Sequence, residues 1–115
     1  MNEQCLFCKI IAGDIPSQKV WEDEHCIAFR DINPQTPVHV LIVPRQHVAG
    51  LSDTDALPEA ALGGCLKAAK AIAAQEGVAE SGYRVLTNCG PDACQSVQHL
   101  HFHLMGGRKM SETMG

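Results

Sequence analysis

The chain has 115 residues, 45% of them hydrophobic, with nine basic and thirteen acidic residues and a net charge of −4 with histidines neutral. That length gives a single domain over 1–115 with a modest core. The acidic balance excludes a nucleic-acid polymer as partner but leaves room for a mononucleotide, whose phosphate a few N–H groups and polar side chains can hold.

No apolar stretch approaches the roughly 20 residues of a bilayer span. The opening Met1-Asn-Glu-Gln-Cys5 lacks the layout of a secretory signal. A cytoplasmic protein without a membrane partner is expected. There, the six cysteines at 5, 8, 26, 65, 89 and 94 are expected as reduced thiols or metal ligands, not as disulfides.

Residues 4–12 carry Leu6, Phe7, Ile10 and Ile11 at helical spacing, closed by Gly13, with Pro16 barring continuation. Two strands follow, Lys19–Glu22 and Cys26–Arg30, around an acidic turn at Asp23-Glu24. Asp31–Pro37 reads as a loop, and Val38–Val43 as a buried strand ending at Pro44. A long helix is expected from about Asp55 to Glu76, its apolar stripe made by Leu62, Cys65, Leu66, Ala69, Ile72 and Ala73. Pro58 fits only its first turn and Gly77 stops it. Gly63-Gly64 costs roughly 1 kcal/mol per glycine relative to Ala; either the helix tolerates this, or another helix approaches closely there. Tyr83–Cys89 and His99–Met105 are the last strands, joined by the polar turn Gly90–Ser96. Strands of this kind with one short and one long helix predict an α+β domain with an antiparallel five-stranded sheet.

The last strand carries the chemistry. Alternate side chains of a strand share a face, so His99, His101 and His103 lie together, opposite Leu100, Phe102 and Leu104. Neighbouring histidines would stand roughly 6.5–7 Å apart, room for a phosphate or a metal ion to touch two. Three charged imidazoles would repel, so neutral forms are expected, and those act as nucleophiles or ligands. A lone histidine would read as a hydrogen-bonded core residue; three at period two read as a site.

The run His99-Leu-His-Phe-His-Leu-Met105 resembles the signature of the histidine-triad nucleotide-binding family (HIT). Further matches occur in order: Cys5-Leu-Phe-Cys-Lys-Ile-Ile-Ala-Gly-Asp-Ile-Pro16, Ala28-Phe-Arg-Asp-Ile-Asn-Pro-Gln-Thr-Pro37, His39-Val-Leu-Ile-Val-Pro44 and Gln95-Ser-Val-Gln-His99. Gly106-Gly-Arg108 resembles the branch acting on purine nucleoside phosphoramidates. The likeness runs from about residue 5 to 108.

The resemblance implies a HIT-like fold and a role for each matching residue: His101 as nucleophile on the α-phosphate, forming a nucleotidyl-histidine intermediate, supported by His39, His99 and His103. Ser96 and Gln95 match residues contacting the phosphate or the departing group; alone, they would read as turn chemistry. Asp31 matches the ribose-binding acid, and Phe7, Ile10, Phe29 and Ile32 match the lining of the base pocket. Asn88 matches a polar position beside the phosphate or ribose.

By residues alone, Cys5-x-x-Cys8 is a redox pair, two separate thiols or half of a metal site. The resemblance implies a structural zinc on Cys5, Cys8, His47 and His99, and no organic cofactor. It also implies a homodimer with a small-molecule nucleotide substrate, most closely an adenosine 5′-monophosphoramidate cleaved to AMP. Rival readings are a dinucleoside polyphosphate hydrolase, a nucleotide-binding regulatory module with vestigial activity, and a metal-binding protein. No magnesium site is expected, because paired carboxylates near the histidines are missing. Three features depart from the family pattern: Cys94 stands where glycine is usual, Gln98 where an aromatic is common, and the tail Lys109–Gly115 lacks Trp and Pro. Cys89 and Cys94 also mark the turn between them as a place where oxidation would inactivate.

Overall fold

A computed structural model describes residues 4–115. Helix α1 spans Leu6–Ala12; strands β1, β2 and β3 span Lys19–Glu22, Cys26–Arg30 and Val38–Pro44. A 3-10 helix, Leu51–Ala56, leads to α2 over Glu59–Gln75. Strand β4 (Tyr83–Leu86), a 3-10 turn at Pro91–Ala93 and β5 (Phe102–Gly106) complete the chain. The strands form one antiparallel sheet in the order β1-β2-β3-β5-β4. Among the described residues no helix is long and apolar enough to cross a membrane.

The pleat sorts side chains onto two covered faces. Cys26, Ala28, Val40 and Ile42 pack with Cys65, Ala68, Ala69, Ile72 and Ala73 of α2. Ile27, Phe29, Leu41 and Val43 pack instead with Cys5, Phe7, Cys8 and Ile10 of the α1 segment. Coverage on both sides explains the unbroken apolar run of β3, whose residues from His39 to Pro44 are all buried. Seven residues make too short a helix to stand alone; α1 is held by this packing, by Cys5 at its N-cap, and by Gly13, whose φ of 84° closes it.

The last strand departs from expectation. The β3–β5 ladder ends at Ile42–Phe102, so His99 and His101 precede β5. Pro44 has no N–H to continue it, and the chain turns instead to the loop after β3, where Leu100 N–H donates to Val48 O at 2.8 Å. Likewise β4 stops at Leu86 rather than Cys89. There the Thr87 hydroxyl takes over from the ladder, donating to His101 O at 2.7 Å. The alternation survives: Leu100, Phe102 and Leu104 pack toward α2.

Helix α2 starts at Glu59, just after Pro58, while residues 51–56 take the tighter 3-10 form. Leu66, assigned to the buried stripe, is 50% exposed, and Ala68 is buried in its place. The glycines separate in role. A Cβ on Gly64 would come within 2.7 Å of the His25 ring, so within this chain the close approach is to the β1–β2 turn. Gly63 meets nothing within 4 Å.

Candidate active site

Two clusters of histidines sit side by side on the α1 face. The first joins Cys5 and Cys8, at the start of α1, to His47 after β3 and His99 before β5. Their ligand atoms all lie within 4.8 Å of one another. His99 Nδ1 stands 3.3 Å from Cys5 Sγ, 3.5 Å from Cys8 Sγ and 3.1 Å from His47 Nδ1, which is 3.4 Å from Cys8 Sγ. A tetrahedral zinc with ~2.3 Å bonds to sulfur and ~2.0 Å bonds to nitrogen sets edges of about 3.5 Å for S···N and about 3.3 Å for N···N. The set fits. His99 Nε2–H donates to Pro44 O at 2.9 Å, which turns the Nδ1 lone pair inward, the usual outer support of a metal-bound imidazole. Burial pushes the His99 pKa down to about 4, so the ring is neutral.

The second cluster holds His101, His103 and His39. A carbonyl only accepts, so the 2.7 Å contact between His101 Nδ1 and His99 O fixes the proton on Nδ1. Nε2 therefore carries the lone pair, and among the described residues nothing bonds to it. Burial holds His101 below its ordinary pKa. Phe7 stands edge-on to this ring, centroids 5.0 Å apart.

His39 is set the opposite way. Gln35 N–H donates to its Nδ1 at 3.0 Å, leaving the proton on Nε2. That N–H faces His103 Nδ1 at 2.9 Å and Asp31 Oδ2 at 3.4 Å. His103 Nδ1 must accept, so its own proton sits on Nε2, a buried atom with no hydrogen-bond partner. Burial lowers both pKa values, His103 to about 4 with the neighbouring His101 and His39 adding to the shift; for His39 the Asp31 charge opposes it. Asp31, His39 and His103 also lie close enough to hold an ion. Metal binding at His39 Nε2 would move the proton to Nδ1, against Gln35 N–H, so the hydrogen bonding opposes it.

An apolar cleft of about 680 Å³ adjoins the second cluster. Phe7, Ile10, Phe29, Asp31 and Ile32 are among the residues that line it, and Phe7 packs edge-on to Phe29. Ile32 is 91% exposed and forms a rim. Leu6, Ile15, Pro16 and Leu41 also line the cleft and had no signal in the sequence beyond hydrophobicity.

The Gln95 amide is committed to backbone: it accepts from Gly90 N–H and donates to Ala49 O and Val97 O. Ser96 is exposed and borders a separate hollow with Cys5, Leu6 and Val97. Asn88 is half-buried. None of the three hydrogen-bonds to a histidine. The groups that sequence reasoning missed are mostly backbone atoms: Gln35 N–H, His99 O and Pro44 O. Only the turn-rich Asn33-Pro-Gln-Thr-Pro37 hinted that something upstream of His39 mattered.

A two-sided α+β domain with a buried imidazole that keeps one nitrogen free, its ring packed edge-on to Phe7 of an apolar cleft, has the parts of a histidine-based hydrolase. The HIT domain model matches residues 12–110, and the chain belongs to the HIT family. It is 46% identical over 110 residues to the purine nucleoside phosphoramidase of Escherichia coli strain K12, covering 96% of this chain and 92% of that one. It is 51% identical over 108 residues to a 14 kDa zinc-binding protein of Zea mays, covering 92% of this chain and 84% of that one. The solved structure of a HIT family hydrolase from Clostridium thermocellum superposes with a TM-score of 0.95 at 46% identity, covering 99% of both chains. This chain is a HIT family hydrolase.

Proposed function

We propose that the protein hydrolyses the α-phosphate bond of small adenosine nucleotides, adenosine 5′-monophosphoramidates first among them, to give AMP. The observation that carries this reading is the opposed protonation of two adjacent rings. His101 keeps a free Nε2 lone pair, and His103 a buried, unpartnered Nε2–H, with ring centroids 5.1 Å apart. An unsatisfied buried donor costs about 1–3 kcal/mol, a cost that a phosphate oxygen or a departing group would offset.

His101 Nε2 attacks phosphorus, the P–N bond to the imidazole forms, and the bond to the leaving amine breaks. The leaving nitrogen takes a proton from water, relayed through the Ser96 hydroxyl, and departs as the neutral amine, while the neutral His103 keeps its Nε2–H as a hydrogen-bond donor to a phosphate oxygen. The positive charge on His101 is eased by its Nδ1–H bond to His99 O. Water then attacks phosphorus and gives up a proton to solvent; the P–N bond to the imidazole breaks, AMP leaves, and His101 is again neutral with its proton on Nδ1. Asp31 accepts from the ribose hydroxyls, while Phe7, Ile10, Phe29 and Ile32 enclose the base; Asn88 and Ser96 contact the phosphate side, and Gln95 holds the loop that carries them through its bonds to Gly90, Ala49 and Val97. Zinc on Cys5, Cys8, His47 and His99 is structural: it ties α1 to the segment leading into β5.

We further infer a homodimer working in the cytoplasm. The outer edge of β4 offers a second copy a ladder to join, and a reducing compartment keeps the free thiols reduced.

The test is to mix the protein with a radiolabelled adenosine phosphoramidate, quench, and find the nucleotide by mass spectrometry. AMP attached to His101 is expected, and none in His101→Ala. Turnover by His101→Ala at the unsubstituted rate would overturn the reading; AMP binding without turnover of any substrate would point to a regulatory module.

A further inference from the structure

We propose that Cys89 is a peroxide-reactive thiol and Cys94 its resolving partner, so that a small hydroperoxide closes a disulfide across the loop carrying Asn88, Gln95 and Ser96.

Exposure selects the pair. Cys5, Cys8, Cys26 and Cys65 are buried, whereas Cys89 is half-buried and Cys94 exposed. The two that oxidant can reach therefore flank one turn. That turn is already closed on itself: Gln95 N–H donates to Gly90 O at 3.1 Å, and Gln95 Oε1 accepts from Gly90 N–H at 2.9 Å. Cys89 and Cys94 are the residues immediately before these two.

Cys89 is also set for reaction. Its sulfur lies 3.4 Å from the Ser52 hydroxyl. That hydroxyl, with the backbone N–H groups of Ser52 and Leu51, lowers the thiol pKa and so favours the thiolate, the form that attacks a peroxide. Cys94 is the one non-glycine residue among those described with positive φ, at 59°. Left-handed backbone at a residue with a Cβ stores strain, so reshaping the turn around Cys94 gives up little.

The chemistry balances in two steps. The Cys89 thiolate attacks one peroxide oxygen; an S–O bond forms, the O–O bond breaks, and the other oxygen leaves with its electron pair and takes a proton from water. Sulfur is oxidised to sulfenic acid as the peroxide is reduced. The Cys94 thiolate then attacks the Cys89 sulfur, the S–S bond forms, and hydroxide leaves to be protonated to water.

Packing makes the modification consequential. A Cβ on Gly50 would stand 3.3 Å from both Cys89 Sγ and Gln95 Oε1, so sulfur and amide are lodged together against this glycine. Moving the sulfur toward Cys94 withdraws it from Ser52 and Gly50 and disturbs the Gln95 clip to Ala49. The loss of turnover rests on the proposed function, in which this loop contacts the phosphate; the site of oxidation does not.

The full chain with its metal is treated with limiting hydrogen peroxide, and peptides are mapped by mass. A Cys89–Cys94 peptide lighter by two hydrogens is expected. In Cys94→Ser, Cys89 should gain one oxygen and be trapped by a dimedone-type reagent. Phosphoramidate turnover should fall on the order of 10-fold or more, as small displacements at a reacting centre do, and return on reduction with a dithiol. Cys89→Ser should resist both changes. Oxidation arriving first at Cys5 or Cys8, or a Cys94→Ser protein whose Cys89 stays unmodified, overturns the proposal. If untreated protein turns over no adenosine phosphoramidate but the disulfide still forms, the functional reading fails and the modification site stands.

Discussion

Nε2 of His39 lies 2.9 Å from Nδ1 of His103, and the proton between them belongs to His39 because Gln35 N–H occupies its other nitrogen. This pair predicts how stability responds to pH. The folded pKa of His103 is pushed down to about 4 from an ordinary value of 6.5. Between those values an unfolded chain binds a proton that the folded chain refuses. Stability should therefore be independent of this group above about pH 6.5 and decline as pH falls toward 4. His103→Asn should flatten the decline, as read from denaturant midpoints across that window. An equally steep slope in the variant would refute the assignment.

Asp31 offers a test of sugar recognition. Its Oδ1 accepts from Asn33 N–H at 2.8 Å, and the carboxylate faces the cleft. A hydrogen bond from a ribose hydroxyl to a charged group contributes about 1.5–3 kcal/mol, on the order of 10- to 100-fold in kcat/KM. Asp31→Asn should erase most of the preference for a ribonucleotide over its 2′-deoxy analogue. Steady-state kinetics on the two substrates measures it; an unchanged ratio would remove Asp31 from the ribose site.

Metal analysis should find one zinc per chain, held by Cys5, Cys8, His47 and His99. Its ligands join segments 94 residues apart in sequence, so chelation should lower Tm and leave α1 frayed in hydrogen exchange. Cys8→Ala should lower Tm in the same direction and make the protein insensitive to chelator. Well-folded protein free of zinc would sink this prediction.

The two helix glycines should behave in opposite ways. Gly63→Ala gains helix propensity in open space and should stabilise by about 0.5–1 kcal/mol. Gly64→Ala gains the same propensity but drives its Cβ to 2.7 Å from the half-buried His25 ring. Overpacking of that kind costs typically about 1–3 kcal/mol, so a net loss is expected, recovered when His25 is changed to Ala as well. Equal effects from both glycine substitutions in chemical denaturation would contradict the packing described.

Much of the fold was legible because it depends on local geometry. Helix α1, with Gly13 after it, and the strands at 19–22 and 26–30 follow directly from periodicity and turn residues. The misread boundaries have specific causes. Residues 51–56 coil as 3-10 and not α-helix, and the strands at 83 and 102 are cut short where a Thr87 hydroxyl and the missing N–H of Pro44 interrupt pairing.

Which side chains share a face is written in the order of residues, because an extended backbone alternates whether or not its ladder continues. His99, His101 and His103 therefore oppose Leu100, Phe102 and Leu104 even before β5 begins. Where the protons lie is not written in that order; it emerges on folding. That choice belongs to Gln35 N–H, His99 O and Pro44 O, backbone groups of no distinctive residue type that folding brings to each ring. Spacing can gather imidazoles, but a tautomer is set by whatever hydrogen-bonds to the other nitrogen.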